Sequence, residues 1–417
     1  MGSECLFLET GAFGYGARAG DCARALGYAP VLLARDPAEY SRGVVDVVPH
    51  MDEVVMIDTL DIAKLLRFVI ERKPAVIIGI DDFRVLSAAL LADYAGLRDP
   101  ALTEGLVNVR YKDRMRARLA GTEFALPYTV HDVDTDPPRT SSVGYPCVVK
   151  PVDEGGSYGV RICDDEAAFT EAIAGLVQSL GTPNIRGYRS SRRVLVEAFL
   201  PGQEYSAEAA YDPAAERWRL VGVTRKLVTE PPFCVEVGHV FPAAAITPEL
   251  HAKIEDALHR ILTELGLRNT TAHAEFKLDG DRFRLIEVNP RVGGDMIPEL
   301  IESALGIDLI SVMVRLQANH PIDGMLTPDR KLVAGIRFIM PPRAGVVTEL
   351  RVPPEPAAGE VRRLLPALPR TVAGVTSSYD RMGFVVVAAE NEAALHAALD
   401  GFVAGCEFVY EDEPAPA

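Results

Sequence analysis

Residues 284–295, RLIEVNPRVGGD, constrain this chain most, because a run that alternates like a core strand carries a carboxylate, an amide and a guanidinium at its end. Side chains on a strand alternate faces, so Glu287 and Asn289 point the same way, with Leu285 beside them, while Ile286 and Val288 are expected to bury on the other face. Pro290 ends the ladder by removing an amide donor. Residues 271–288, TAHAEFKLDGDRFRLIEV, read as a hairpin turning at Asp279-Gly280-Asp281, whose first strand carries His273 and Glu275 two residues apart. Glu275, Glu287 and the amide oxygen of Asn289 then converge. A buried carboxylate pair repels itself unless a cation stands between, and hard oxygen ligands in that number suit Mg2+, with Mn2+ as a substitute, sharing its shell with phosphate oxygens. The expected ligand is a nucleotide. Taken singly, each of these residues is explained as well by a solvated position on an edge hairpin.

At 417 residues the chain exceeds one ordinary domain, so several compact units sharing a site are expected. The net charge of −16, without a Lys/Arg-rich run, argues against nucleic acid or an anionic membrane as partner. Six scattered cysteines lack CxxC or metal-like spacing and read as reduced residues. The start, MGSECLFLET, lacks a basic region with a long apolar run, and no apolar stretch approaches the roughly 20 residues that span a bilayer. A cytoplasmic protein is expected.

Residues 1–108 alternate strand and helix, which predicts a parallel sheet with crossover helices. A glycine turn there, Gly14-Tyr15-Gly16-Ala17-Arg18-Ala19, fits a dinucleotide fingerprint with Asp36 at about the right distance, but its first glycine falls several residues after the strand CLFLE. Residues 109–200 read as a basic helix (VRYKDRMRARLA), the strand CVVKP, a glycine loop and the strand RVLVEAFL, together a small lid. Residues 201–330 add further strands, a loop at 224–239 (TRKLVTEPPFCVEVGH), an amphipathic helix, the hairpin and one helix beginning MIPEL. Residues 331–417 read as an α+β extension packed on that unit, with 353–360 (PPEPAAGE) and 411–417 (EDEPAPA) as its mobile spots.

Lys150 closes an apolar strand ahead of Glu154-Gly155-Gly156-Ser157-Tyr158-Gly159. Glycines there let backbone amides approach a polyphosphate, and the lysine supplies fixed charge. The strand 194–200, VLVEAFL, can pin a planar base, with Glu197 reading its edge and Glu204 accepting from ribose hydroxyls. A surface carboxylate is the competing reading of Glu197. For Arg225, Lys226 and His239 a solvated loop is the leading reading, with contact to substrate or phosphate as the alternative.

This order of elements, over residues 1–340, resembles the ATP-grasp superfamily of carboxylate-amine ligases, whose fold joins a Rossmann-like parallel sheet, a lid and a catalytic unit. By resemblance, Lys112 (in RYKD) and Lys150 would hold the α- and β-phosphates of ATP, Glu197, Phe199 and Leu200 the adenine, and Glu204 the ribose. Glu275, Glu287 and Asn289 would bind Mg2+, and Arg291 would meet the γ-phosphate or an acyl phosphate. His273 and the turn Gly293-Gly294-Asp295-Met296 look most like the bacterial L-amino acid ligases that make dipeptides. That implies an amide formed from small-molecule carboxylate and amine substrates with release of ADP and phosphate. His273 would orient or deprotonate the ammonium, and the turn would shape the substrate pocket. Two other readings stay open: an NAD(P)-dependent oxidoreductase using the Gly14 turn, and a nucleotide-binding protein without catalysis. The sequence names neither the substrates nor the oligomer, a homodimer being one option.

Overall fold

The computed structural model describes residues 3–411 apart from 12, 42–43, 185 and 355–356. Most of the tail 411–417, and positions 355–356 of the stretch expected to be mobile, therefore lie outside the described residues.

The strands Glu4–Leu8, Ala29–Ala34, Glu53–Met56 and Val76–Gly79 form a parallel sheet in the order third, second, first, fourth. Both faces of its first strand are covered: Cys5 and Phe7 enter one core, Leu6 and Leu8 another. Continuous burial of this kind is what makes parallel strands apolar throughout. The order reverses direction between Glu4–Leu8 and Val76–Gly79. A crevice therefore opens past their carboxyl ends, where ligands bind in open α/β sheets.

The second sheet has eight strands, all paired antiparallel, running from Arg282–Asn289 through Thr271–Asp279, Glu204–Asp212, Arg217–Val228, Glu236–Phe241, Val333–Phe338 and Phe384–Ala389 to Glu360–Leu364. It continues across residue 330, so the division drawn there follows chain order while the packing is shared. Helix Pro248–Glu264, capped by Thr247, covers one part through Ile254, Leu258 and Ile261. A four-stranded sheet (Tyr128–Asp132, Arg193–Ala198, Cys147–Pro151, Arg161–Cys163) carries helix Glu166–Ser179 and has its own core. A three-stranded sheet (Arg370–Val372, Gly345–Arg351, Glu407–Tyr410) shares a core with helix Glu392–Ala404. Among the described residues no helix is long and apolar enough to cross a membrane.

Several expectations are corrected. The basic helix divides into Pro100–Arg110 and Lys112–Arg118 at Tyr111, whose ψ of 109° is extended. The MIPEL helix divides into Ile297–Leu305 and Leu309–Gln317, because Gly306 at φ 78° ends the first in the left-handed conformation. Most of the loop at 224–239 is a β-hairpin, in which Lys226 pairs with His239. In the metal hairpin Glu275 opposes Glu287 and Phe276 opposes Leu285, so a bulge accommodates Ile286. The bulge resets alternation. Leu285 is buried with Val288 in one core, and it does not share the face of Glu287.

Candidate active site

The hairpin, the crevice and the lid meet at a cavity of about 300 Å3. Its walls include Lys112, Gly155, Gly156, His273, Glu275, Glu287, Asn289, Arg291, Gly294 and Asp295 among the residues expected from sequence. Lys150, Ser157, Glu197, Phe199, Leu200, Glu204, Gly293 and Met296 are not among them. Met296 is buried in the core at φ 62°, where it precedes helix Ile297–Leu305.

Both glutamates of the hairpin have a cation. Lys112 Nζ lies 3.1 Å from Glu287 and donates to the Glu154 carbonyl at 2.8 Å. Burial pushes the Glu287 carboxyl up, but Lys112 and Lys150 outweigh it and hold it well below the usual range. Glu275 is met by Lys226 at 3.0 Å, and the same lysine reaches Glu236 at 2.8 Å and Glu204 at 3.2 Å. Asn289 Nδ2 donates to Glu287 at 3.1 Å, leaving its amide oxygen available. Two opposed carboxylates and an amide oxygen beside a cavity fit a hard divalent cation, and the lysines supply the neutralisation that such an ion would share. Among the described residues no three His, Cys, Asp or Glu side chains are grouped to hold a metal, so phosphate oxygens and water would complete the shell.

The surroundings of His273 speak against its expected role as a base. Its Nδ1 lies 2.6 Å from Glu208 and its Nε2 3.2 Å from Glu275. Burial opposes its charge, yet the two carboxylates win and push its pKa up to about 10, so at neutral pH it is an imidazolium donating at both nitrogens. Arg291 forms a two-point pair with Asp82, one contact at 2.6 Å, and donates to the Val292 carbonyl at 2.7 Å. Asp295 accepts from Arg381 at 2.8 Å and lies 3.1 Å from His239 Nε2.

Behind the cavity, Glu197 is not the surface carboxylate of the competing reading. It is 4% exposed and paired with Lys150 and, at 2.9 Å, with Arg116. Arg116 donates as well to the Leu285 and Ile286 carbonyls at 3.0 and 2.8 Å. This ties the lid strand to the bulge. With both cations on it, the Glu197 carboxylate has a structural load beyond any reading of a base edge. Gly156 and Ser157 take left-handed conformations, at φ 65° and 57°, and the Gly156 carbonyl accepts from Ser378 N at 3.4 Å, so the glycine turn touches the C-terminal part of the chain.

Sequence reasoning missed Asp82, Glu236 and Arg381, and read Lys226 and His239 as solvated although they are 1% and 0% exposed. The alternation in VGVTRKLV and VEVGHVF carried the signal for the last two. The Gly14 turn has a packing explanation: a side chain at Gly16 would strike Thr10 and Val47, and Asp36 is an exposed residue accepting from Ala38 N. Thr10, Phe13 and Tyr15 of that turn face the cavity, and Tyr15 donates to the Gly293 carbonyl at 3.1 Å.

Comparison with known proteins matches residues 143–299 to the family described as "ATP-grasp domain". The chain carries an ATP-grasp domain. The solved L-amino acid ligase from Bacillus licheniformis superposes with a TM-score of 0.78 at 16% identity, covering 99% of this chain and 100% of that one, and so shares the ATP-grasp fold. An uncharacterized protein y4rH from Sinorhizobium fredii is 30% identical over 259 residues, 61% of this chain and 51% of that protein. A D-alanine–D-alanine ligase from Rhodospirillum rubrum is 28% identical over 201 residues, 45% of this chain and 60% of that enzyme. The chain thus spans only about half to three fifths of the length of these two relatives.

Proposed function

We propose that this ATP-grasp chain is an ATP-dependent ligase that joins a carboxylate to an amine, with amino acids as the substrate class on both sides. The observation that carries the reading is the opposition of Glu275 and Glu287 beside Arg291 in one cavity. The similarity to an L-amino acid ligase and to a D-alanine–D-alanine ligase supports the substrate class.

A carboxylate does not react with an amine at neutral pH until it carries a better leaving group. Attack of its oxygen on the γ-phosphorus of ATP forms a P–O bond, breaks the bond to ADP and gives an acyl phosphate. The amine then attacks the acyl carbon, loses a proton and expels phosphate, leaving an amide. Bound Mg2+ would lie between Glu275, Glu287 and Asn289 and would neutralise phosphate charge. With the ion neutralising Glu275 and Glu287, Lys112 and Lys226 would be available to the phosphate oxygens. Arg291 offers a planar fork that binds a carboxylate or acyl phosphate at two points, and Asp82 occupies that fork as such a group would. His273, held between Glu208 and Glu275, would fix the orientation of Glu275, and the ammonium proton would leave to another acceptor. The glycine turn, resting against Ser378 and Tyr379, shuts water out of an intermediate that hydrolyses easily.

The division at 108, 200 and 330, a cytoplasmic site of action, assembly as a homodimer and a place in specialised metabolism belong to the same proposal. The test is release of ADP and phosphate over a matrix of amino-acid pairs, with the amide measured by mass. ADP, phosphate and amide in equal amounts are expected. AMP with pyrophosphate, or no stimulation by any carboxylate and amine, rejects the reading.

A further inference from the structure

The eight-stranded sheet carries a second charge cluster on the face turned away from the cavity. Lys226 lines the cavity, so its neighbour Arg225 points to the opposite side, toward helix Glu392–Ala404. Register places Val240 between Arg225 and Gly335, and Gly238 between Leu227 and Arg337. Val240 packs with Leu395 and Leu399 of that helix, which fixes the row as the helix side. A side chain at Gly238 would meet the Ile336 carbonyl at 2.5 Å and the Arg337 guanidinium at 3.0 Å, so glycine there fits the sheet backbone and leaves room for Arg337 to lie across it. His396 descends from the helix between the two arginines. Its Nε2 is 3.2 Å from Arg225 Nη2 and its Nδ1 is 3.0 Å from Arg337 Nη2.

This cluster has more donors than acceptors. Guanidinium groups only donate, and a neutral imidazole accepts at one nitrogen alone, so one of the two contacts sets N–H against N–H. Protonating His396 would make both contacts repulsive. Arg225 Nε is buried without an acceptor among the described residues. Burial is the largest influence on Arg337 and works against its charge, and its acidic partner Asp400, at 3.2 Å, is 62% exposed. Two cations thus face one solvated carboxylate, an imbalance of one positive charge.

We propose that Arg225, Arg337 and His396 form a second binding site, separate from the cavity, for a phosphate-type oxyanion. One oxygen accepts from both arginine forks, and another accepts from the imidazole N–H. The tetrahedral group thereby resolves the N–H contact and balances the charge. Free phosphate and the phosphoryl group of a small phosphomonoester share this chemistry.

The full chain, labelled with 15N at its eight histidines, is titrated with inorganic phosphate and, separately, with glycerol phosphate, against chloride at equal ionic strength. The His396 resonance is identified by its loss in His396→Asn. A saturable movement of that resonance is expected with phosphate or with the ester, weakened at least tenfold in both Arg337→Gln and Arg225→Gln. Response to the ester alone would support the site and assign the phosphomonoester as its source. Chloride moving the resonance equally, or an unchanged curve in Arg337→Gln, overturns the proposal. Should either glutamine variant fail to fold, Arg225→Lys keeps the charge without the fork and must still weaken binding severalfold. An unaltered affinity there rejects the site equally.

Discussion

Replacing Lys226 by methionine removes the cation shared by three carboxylates while keeping an unbranched chain in its place. The lysine side chain is 2% exposed and lies 2.8, 3.0 and 3.2 Å from Glu236, Glu275 and Glu204. Burial pushes the Glu236 carboxyl up, but Lys226, followed by Arg381 and His239, holds it down to about 2 from an ordinary 4.5. At about 1.36 kcal/mol per unit this is about 3 kcal/mol, with Lys226 as the largest contributor. Glu204 moves the other way, because burial dominates there and one lysine cannot neutralise three acids. Breaking a buried pair by removing one partner costs about 3–5 kcal/mol, so a loss of about 3 kcal/mol is expected for Lys226→Met at pH 8. The pH dependence follows from the sign. In the parent, Glu236 adds stability above 4.5 that is lost as pH falls toward 2. In the variant its carboxyl rises above 4.5, and stability returns as acid protonates it. The gap between the two proteins should therefore shrink from pH 8 toward 4.5. Urea unfolding read from Trp218 suits the measurement, since it is the only tryptophan and is buried on the same strand. A variant as stable as the parent at pH 8, or a gap that widens in acid, would refute the reasoning.

Glu287→Gln should fold, with a lowered urea midpoint because Lys112 loses its carboxylate, and release ADP at least about a hundredfold more slowly, because the amide brings no negative charge to the ion; normal turnover at limiting Mg2+ would count against the metal set. Arg291→Lys should lower turnover about a hundredfold with ATP affinity within about threefold, since a lysine cannot make the two-point contact. Turnover and affinity are separated by steady-state kinetics and equilibrium binding. With His273 at about 10, its contribution to stability is complete below 6.5 and is lost only as pH rises through 10. The rate profile should then show no limb near 6.5 that His273→Asn removes, and finding one would restore His273 as the base.

The parallel sheet was legible because strands buried on both faces read as continuous apolar runs, and the metal hairpin because Asp279-Gly280-Asp281 announces a turn. Asp82 was not, since it meets Arg291 across 209 positions and nothing local marks it. Arg381 reaches Asp295 from the loop ahead of strand Phe384–Ala389, far along the chain, and Pro231 and Pro232 hid the connection of the Lys226 hairpin behind the look of a long loop. The subtler failure was strict alternation, which put Leu285 beside Glu287. A bulge adds one residue to one strand, and a single added residue exchanges the faces of everything on one side of it. The free carbonyls at this bulge, those of Leu285 and Ile286, are the ones Arg116 takes, so the irregularity anchors the Arg116–Glu197–Lys150 group. Two truncations separate the alternatives. With the bulge, Leu285→Ala empties a core site and should cost about 2–5 kcal/mol, whereas Ile286→Ala, at a half-buried position, should cost under about 1.5 kcal/mol. Strict alternation requires the reverse order, so a larger shift in urea midpoint for Ile286→Ala than for Leu285→Ala would remove the bulge and with it the account of Arg116.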